Sequence, residues 1–328
     1  MIPSSLKVQR LYGLIYLIVA VLYVNNSTAQ SSPQNSLYLI DLYSINPAYA
    51  GLDRSLSVNF NYRDQWPGIQ ANPRQLYVNA HIPVYLINGG VGVELSSDQL
   101  GPLRFNTFSL SYNRINQTHF GIVSFGGSLG LRSSQLDGTG LITPEGVYSA
   151  GIVDHQDPFL SNTVDSRTNL QSSLGIFIGT RKFEVGLSVT NLLLQRDRIN
   201  DIATSNHDAL KLYGQIPFTF QGISFYTSFL VKTNFEVLQT DLSCITKSGN
   251  IFGGLSLRGY GKNSLDALVL VGGIKINENY TIGYSYDIGL SSLNSVSQGA
   301  HEIHINYNLN KLVGIGLPPE IIYNPRNL

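Results

Sequence analysis

The chain has 328 residues, with 21 basic and 21 acidic side chains and so no net charge. Charged residues make up 13% of it, about half the roughly 25% of soluble domains, yet mean hydropathy is only +0.03. These values exclude a bundle of membrane helices, and the balanced charge offers no basic surface for nucleic acid.

Aromatic residues reach 10%, with 19 Tyr, and glycine is abundant at 32. Few charges, many Tyr and Gly, and neutral hydropathy suit a membrane β-barrel, where lipid-facing and lumen-facing residues average out. A large secreted β-sandwich has similar numbers, so the order of residues must decide.

The N-terminus reads as a secretory signal peptide, residues 1–29. Lys7 and Arg10 precede the apolar run "LYGLIYLIVAVLYV" (11–24), which is short for a membrane span, and Ser27 and Ala29 stand at −3 and −1 of a cut before Gln30. No Cys follows the run, so a lipoprotein signal is not indicated. No other stretch reaches the length of a membrane helix, so any spanning falls to strands. Residues 30–53 form an N-terminal periplasmic or plug segment. Within it, "LYLIDLYSINPAYAG" (37–51) is apolar and is broken by Asn46-Pro47 and Gly51 into a helix-like piece and a turn.

From residue 54 to 310 the pattern has period two. In "SLSVNFNYR", Leu56, Val58, Phe60 and Tyr62 alternate with Ser57, Asn59, Asn61 and Arg63, and "KFEVGLSVTN" and "YTIGYSYDIGL" behave likewise. Fourteen strands are predicted, at about 54–63, 74–82, 89–95, 104–114, 118–131, 169–180, 182–190, 209–218, 222–232, 239–246, 250–258, 265–276, 279–289 and 300–309. Stretches 123–131 and 265–276 alternate poorly. With the N-terminus on the periplasmic side, the even connections are short turns such as "INQT", "TFQG", "KSGN" and "NENY". The odd connections (64–73, 96–103, 132–168, 191–208, 233–238, 259–264 and 290–299) are mostly longer. Outer-membrane barrels have this asymmetry, and an even strand number places both barrel ends at one rim. The predicted fold is all-β, a single transmembrane antiparallel barrel of about 14 strands with long extracellular loops and a C-terminal periplasmic tail, 311–328.

Catalytic and metal signatures are weak. Asp154, His155 and Asp157 lie in a loop where Asp is ordinary turn chemistry. "HEIH" (His301, Glu302, His304) is not HExxH, and on a strand His301 and His304 point to opposite faces. No nucleophile elbow, phosphate loop, zinc spacing or calcium loop appears. Cys244 is the single cysteine, so no intramolecular disulfide forms. The expectation is no enzyme, no metal and no cofactor.

Three stretches do not follow from barrel physics. They are "NPAYAG" (Asn46, Pro47, Tyr49, Gly51), "YRDQWPGIQANP" (Arg63, Gln65, Trp66, Pro67) and "HEIHINY" (His301, Glu302). Together with "GVGVELSSDQLGPLRFNTFSLSYNRI", "FEVGLSVTNLL" and "IGYSYD", in this order over about residues 37–310, the chain resembles the PorP/SprF family. These are outer-membrane proteins of the type IX secretion and gliding systems of Bacteroidetes. The resemblance implies a barrel without enzymatic activity. It implies a partner that is a large type IX-secreted adhesin, held at the surface through its C-terminal domain. Alternatively it implies membership of the secretion or motility machinery, with periplasmic lipoproteins or peptidoglycan-linked proteins as partners beside outer-membrane lipid. A diffusion porin is the other reading, although the Asn- and Ser-rich inner face holds no obvious selectivity ring.

If the sheet closes, the first and last strands pair. Arg63 and Glu302 then meet on the lumen side of that seam, with Gln65 and Trp66 expected to cover them.

Overall fold

The computed structural model describes residues 34–149, 152–157, 160–192, 198–199, 202–203, 208–260, 264–290 and 297–311. The predicted signal peptide and, beyond Lys311, the predicted tail lie outside the described residues.

The strands are β1 (Ser57–Gln65), β2 (Arg74–Val84), β3 (Gly89–Leu100), β4 (Leu103–Thr118), β5 (Gly121–Asp137), β6 (Val147–Ser149), β7 (Ile152–Asp154), β8 (Val164–Gly179) and β9 (Glu184–Thr190). They continue as β10 (Arg198–Ile199), β11 (Ile202–Ala203), β12 (Leu210–Phe220), β13 (Ile223–Thr233), β14 (Leu238–Ser248), β15 (Ile251–Tyr260), β16 (Ser264–Lys275), β17 (Tyr280–Gly289) and β18 (Ala300–Asn308). β6–β7 and β10–β11 are small hairpins within loops. The other fourteen form one closed antiparallel barrel, shut by β1 against β18, with Arg63 opposite Glu302. All fourteen predicted strands are present.

Alternation sorts the residues inside out. In β1, Ser57, Asn59, Asn61 and Arg63 are buried toward the lumen, while Phe60 and Tyr62 are each 38% exposed on the outside. The outer wall continues with Leu95, Phe108, Leu110, Phe125, Leu129, Leu174, Ile176, Leu242, Leu255 and Ile303. Closure leaves no unpaired strand edge, the condition for crossing lipid. The buried polar lumen groups bond one another. For example, Asn59 Nδ2 donates to Asn79 Oδ1 at 2.9 Å, and Asn306 Nδ2 donates to Asn59 Oδ1 at 2.7 Å.

At one rim, here the turn rim, β1 begins and β18 ends. Its connections are 85–88, 119–120, 180–183, 221–222, 249–250 and 276–279. The opposite, loop rim carries 66–73, 101–102, 138–163, 191–209, 234–237, 261–263 and 290–299. Two expected loops are shorter than predicted. The connection expected at 96–103 is only the turn 101–102, and the loop expected at 132–168 is 138–163. In both places polar runs ("SSDQ", "RSSQLD", "DSRTN") extend the strands. Ser96, Ser97 and Asp98 resemble turn residues in sequence, but in a polar-lined barrel they are ordinary strand residues.

Residues 34–56 lie inside the barrel. Two 3-10 turns shape the segment, Leu42–Ser44 and Pro47–Tyr49. Asn46 caps the second turn, its Oδ1 accepting from Ala48 N–H at 2.9 Å, with Pro47 in the first position where no N–H is needed. Leu37, Tyr38, Leu42, Tyr43, Ile45, Tyr49 and Leu52 are buried against Ile122, Phe177, Tyr213, Leu230, Ile245, Phe252, Val269 and Val271. This is the hydrophobic core, and burying each large side chain contributes on the order of 1.5–3 kcal/mol. It also explains the two poorly alternating stretches. Val269 and Val271 of β16 face the plug rather than water, so both faces of that strand are apolar. In β5, Gly126 replaces a lumen side chain to make room for Ala48.

Candidate functional site

The plug crosses from the loop half of the lumen to the turn rim. Gln34 starts it in the loop half, donating from Nε2 to Gln239 Oε1 at 2.8 Å, one residue from where β14 begins. Its far end leads into β1 at the turn rim.

In the turn half, the wall fits the plug by shape. The four residues expected from "NPAYAG" all lie here. Asn46 Nδ2 donates to the carbonyls of Ile176 on β8 (2.9 Å) and Leu187 on β9 (3.4 Å). A Cβ added at Gly175 would meet the Asn46 side chain, and one at Gly126 would lie 2.6 Å from Ala48 Cα. Pro47 packs on the same bed, its ring 3.1 Å from that added Cβ of Gly175. Asn113 Nδ2 donates to the Ala48 and Ala50 carbonyls at 2.6 and 2.8 Å. Tyr49 sets its ring edge-on to Phe177, centroids 5.2 Å apart, and donates to Asp53 Oδ1 at 3.1 Å. Gly51, at φ +72°, donates its N–H to His81 Nδ1 at 3.1 Å. That assigns the proton of a neutral His81 to Nε2, which lies 3.7 Å from Asp53.

In the loop half, charge holds the plug. Arg63 reaches Glu302 at 2.9 Å and Asp287 at 2.5 Å. Arg258 reaches Asp287 and Asp241, each at 2.6 Å. The plug completes the cluster. Ser36 and Leu37 donate their backbone N–H groups to the two oxygens of Glu302 at 2.9 and 3.1 Å, and Ser36 Oγ bonds Asp287 at 3.0 Å. All five charged groups are buried, with Glu302 at 0% exposure, so each depends on the others for compensation.

The remaining expected residues separate from the clamp. Gln65 pairs across the seam with Ala300, and its carbonyl accepts from Asn72 Nδ2 at 2.9 Å. Trp66, at φ +57°, donates its backbone N–H to Gly299 at 2.8 Å, and the Pro67 carbonyl accepts from Gln298 N–H at 3.2 Å. These contacts latch loop 66–73 to the last loop. His301 faces outward, accepting or donating at Nδ1 to Tyr284 Oη at 2.7 Å beside the Tyr286 ring. The structure therefore joins Arg63 to Glu302 at the seam and sets Asn46 nearly across the barrel from them, while the rest of "NPAYAG" runs back past β5, β4 and β3 to His81 on β2, beside the seam.

Sequence reading missed Ser36, Asp241, Arg258 and Asp287. A signal was present. In a chain so poor in charge, each of these acids and Arg258 stands on the lumen parity of its strand. Above the plug, a polar cavity of about 110 Å³ opens among Glu94, Asp98, Arg132, Lys211 and Lys232. Among the described residues no group of three or more His, Cys, Asp or Glu is placed to hold a metal ion.

The outer-membrane protein Omp33 of Acinetobacter baumannii is similar in structure at 8% identity, with TM-score 0.45, covering 77% of this chain and 97% of that one. The toluene transporter TbuX of Ralstonia pickettii is similar at 10% identity, with TM-score 0.49, covering 86% of this chain and 95% of that one. At these values neither likeness bears on function. No curated protein matches the chain. The family model for the type IX secretion system membrane protein PorP/SprF matches residues 27–307, which take in the plug, the clamp, both seam strands and every strand between. This closed outer-membrane barrel belongs to the PorP/SprF family of type IX secretion system membrane proteins.

Proposed function

We propose that this protein is a non-enzymatic, self-plugged barrel that places or anchors a large type IX-secreted adhesin at the cell surface by binding its C-terminal domain. In this reading the loop rim is extracellular and the turn rim periplasmic, so β18 runs out toward the periplasm while Gln34 lies on the outer side of the lumen. The signal peptide (1–29) is removed, and residues 311–328 form a periplasmic tail.

The observation that carries the reading is the occupied lumen. Residues 34–56 are fastened to walls on opposite sides of the barrel, by the clamp at Ser36 and by the glycine bed at Asn46. A diffusion porin needs an open path, and this arrangement argues against one. What a plugged barrel offers is a rigid rim fixed in the membrane, suited to holding a partner. Loops 138–163 and 191–209 supply the rim contact in this proposal.

Family membership also favours a second reading, a structural component of the type IX secretion or motility machinery with periplasmic lipoproteins or peptidoglycan-linked partners. Affinity purification of the tagged chain from outer membrane in mild detergent separates the two. A near-stoichiometric, very large secreted protein retained through its C-terminal domain is expected. Recovery of machinery proteins alone would move the assignment to the second reading, and a solitary barrel that conducts ions in planar bilayers would sink both.

A further inference from the structure

The charges of this neutral chain are not spread evenly over its outer surface. Three cations on one side of the turn rim, Arg114, Arg181 and Lys182, are exposed, and among the described residues their side chains make no hydrogen bond or ion pair. Arg63 and Arg258, by contrast, are buried and paired. No exposed acid balances the three on their own side. Glu184 is 1% exposed and turns to the lumen, and Glu278 lies in the turn 276–279, nearly across the barrel.

Arg181 and Lys182 stand in the turn 180–183 between β8 and β9, which lies beside the turn 119–120 between β4 and β5. A Cβ added at Gly121 would come within 2.1 Å of the Gly179 carbonyl oxygen and 3.1 Å of Thr180 Cα. Phe120 and Phe183, one on each turn, are 50% and 41% exposed. Arg114 sits higher, on the outer face of β4. It pairs with Phe125 of β5, which pairs in turn with Ile176 of β8, and both apolar residues belong to the outer wall. Arg114 is four positions from the end of β4 at Thr118. That is about 13 Å along the strand and roughly 10 Å along the membrane normal at the usual barrel tilt. An arginine side chain bends along the wall toward the polar side, so the three cations bracket a band about as deep as a headgroup layer.

Water can satisfy Arg181 and Lys182 at the tip of a turn. Arg114 is different, because it stands beside Phe125 at the edge of the apolar wall, where an unpaired cation is costly in proportion to its depth. An anion at this depth, attached to acyl chains, removes that cost and continues the contact that the wall already makes with lipid.

We propose that the outer face of β4, β5, β8 and β9 at the turn rim is a binding site for an anionic phospholipid. The phosphate is held among Arg114, Arg181 and Lys182. The acyl chains lie on Phe125 and Ile176, and Phe120 and Phe183 flank the headgroup. The site stands whether or not the barrel anchors an adhesin.

The test is native mass spectrometry of the full chain, purified in detergent, titrated with dioleoyl phosphatidylglycerol and with dioleoyl phosphatidylcholine. The anionic lipid is expected to bind about tenfold more tightly or better. Each Lys or Arg near an anionic surface accounts for roughly fivefold in affinity, so Arg181→Gln with Lys182→Gln should weaken phosphatidylglycerol by about twenty- to thirtyfold and leave phosphatidylcholine unchanged. Arg114→Lys should keep the preference and Arg114→Gln should reduce it. Lys275→Gln, which removes a charge from the same rim across the barrel, should change nothing. Heat-modifiability on gels reports whether each variant still forms the barrel. Equal affinity for the two lipids overturns the proposal, as does a Lys275→Gln loss as large as that of the double variant, which would mean unspecific attraction. A phosphorylated glycolipid that binds this site more tightly than phosphatidylglycerol overturns the assignment to phospholipid.

Discussion

The two halves of the lumen hold the same segment by different physics. Near the turn rim, Asn46 to Gly51 lie in a bed of missing side chains, where close approach and short bonds to backbone carbonyls do the holding. Near the loop rim, Ser36 and Leu37 are gripped by a buried cluster of two arginines and three carboxylates. Shape contacts fall off abruptly when the fit is lost, and bonds to backbone carbonyls do not titrate. Charge contacts reach further and depend on keeping water out. The half that faces the partner in our proposal is the one held mainly by buried charge.

The clamp is the place to look for the largest effect. Arg63→Ala leaves Glu302 and part of Asp287 buried without their cation, and we expect a loss of about 3–5 kcal/mol. This should appear as a lower temperature for the gel shift of the heat-modified barrel. The double variant Arg63→Met with Glu302→Leu should lose less than Arg63→Ala alone. If the single variant is the milder one, the clamp is not the buried network described.

The shape-held half should respond next. Gly175→Val drives a side chain into Asn46, with an expected cost of about 1–3 kcal/mol. Because the glycine bed seats the plug, the same variant should raise ionic conductance in planar bilayers, whereas wild type stays silent. Conductance unchanged in a folded Gly175→Val barrel would mean that the turn half does not seal the lumen.

A pH experiment sharpens the contrast inside the plug. Burial pushes the Asp41 carboxyl up to about 7, against hydrogen bonds from Asn79 and Ser44 that pull it down. Its ordinary value is 3.8, so between about pH 4 and 7 the folded state holds a proton that the released segment does not. Plug stability should therefore fall as pH rises through this window, by at most ~1.4 kcal/mol per pH unit, and level off above it. Thiol labelling of a Ser44→Cys chain across this range would report it, and Asp41→Asn should flatten the profile.

The smallest effect is expected outside the barrel. His301 shares a sequence motif with Glu302 but faces the outer wall beside Tyr284 and Tyr286. His301→Phe should change barrel stability by about 0.5 kcal/mol or less, which the same gel assay would register as no shift.

Much of the barrel is legible in the sequence because period two survives wherever one face meets lipid and the other a polar lumen. β1, β9 and β17 are plain for that reason. The pairing of Arg63 with Glu302 follows from parity and closure, since both occupy the lumen face of strands that must meet. What is not legible depends on the plug. An apolar segment before the first strand could close a mouth or dock elsewhere, and only the folded chain places it within the wall. Once it is there, β16 and β5 lose their alternation for a physical reason, and Asp241, Arg258 and Asp287 become partners of Ser36 rather than scattered charges. The extended ends of β3, β5 and β8 were obscured because Ser, Asp and Asn mark turns in most folds and line the wall in this one.

The bond from Ser36 to Glu302 joins residues 266 positions apart. The clamp on the start of the plug is therefore complete only when the last strand is in place. Zipping β18 onto β1 brings Glu302 beside Arg63 and at the same stroke completes the cradle for Ser36 and Leu37. Closing the seam and completing the clamp are thus a single event, and an assembly intermediate stalled short of the final strand holds its plug by the glycine bed without the full clamp.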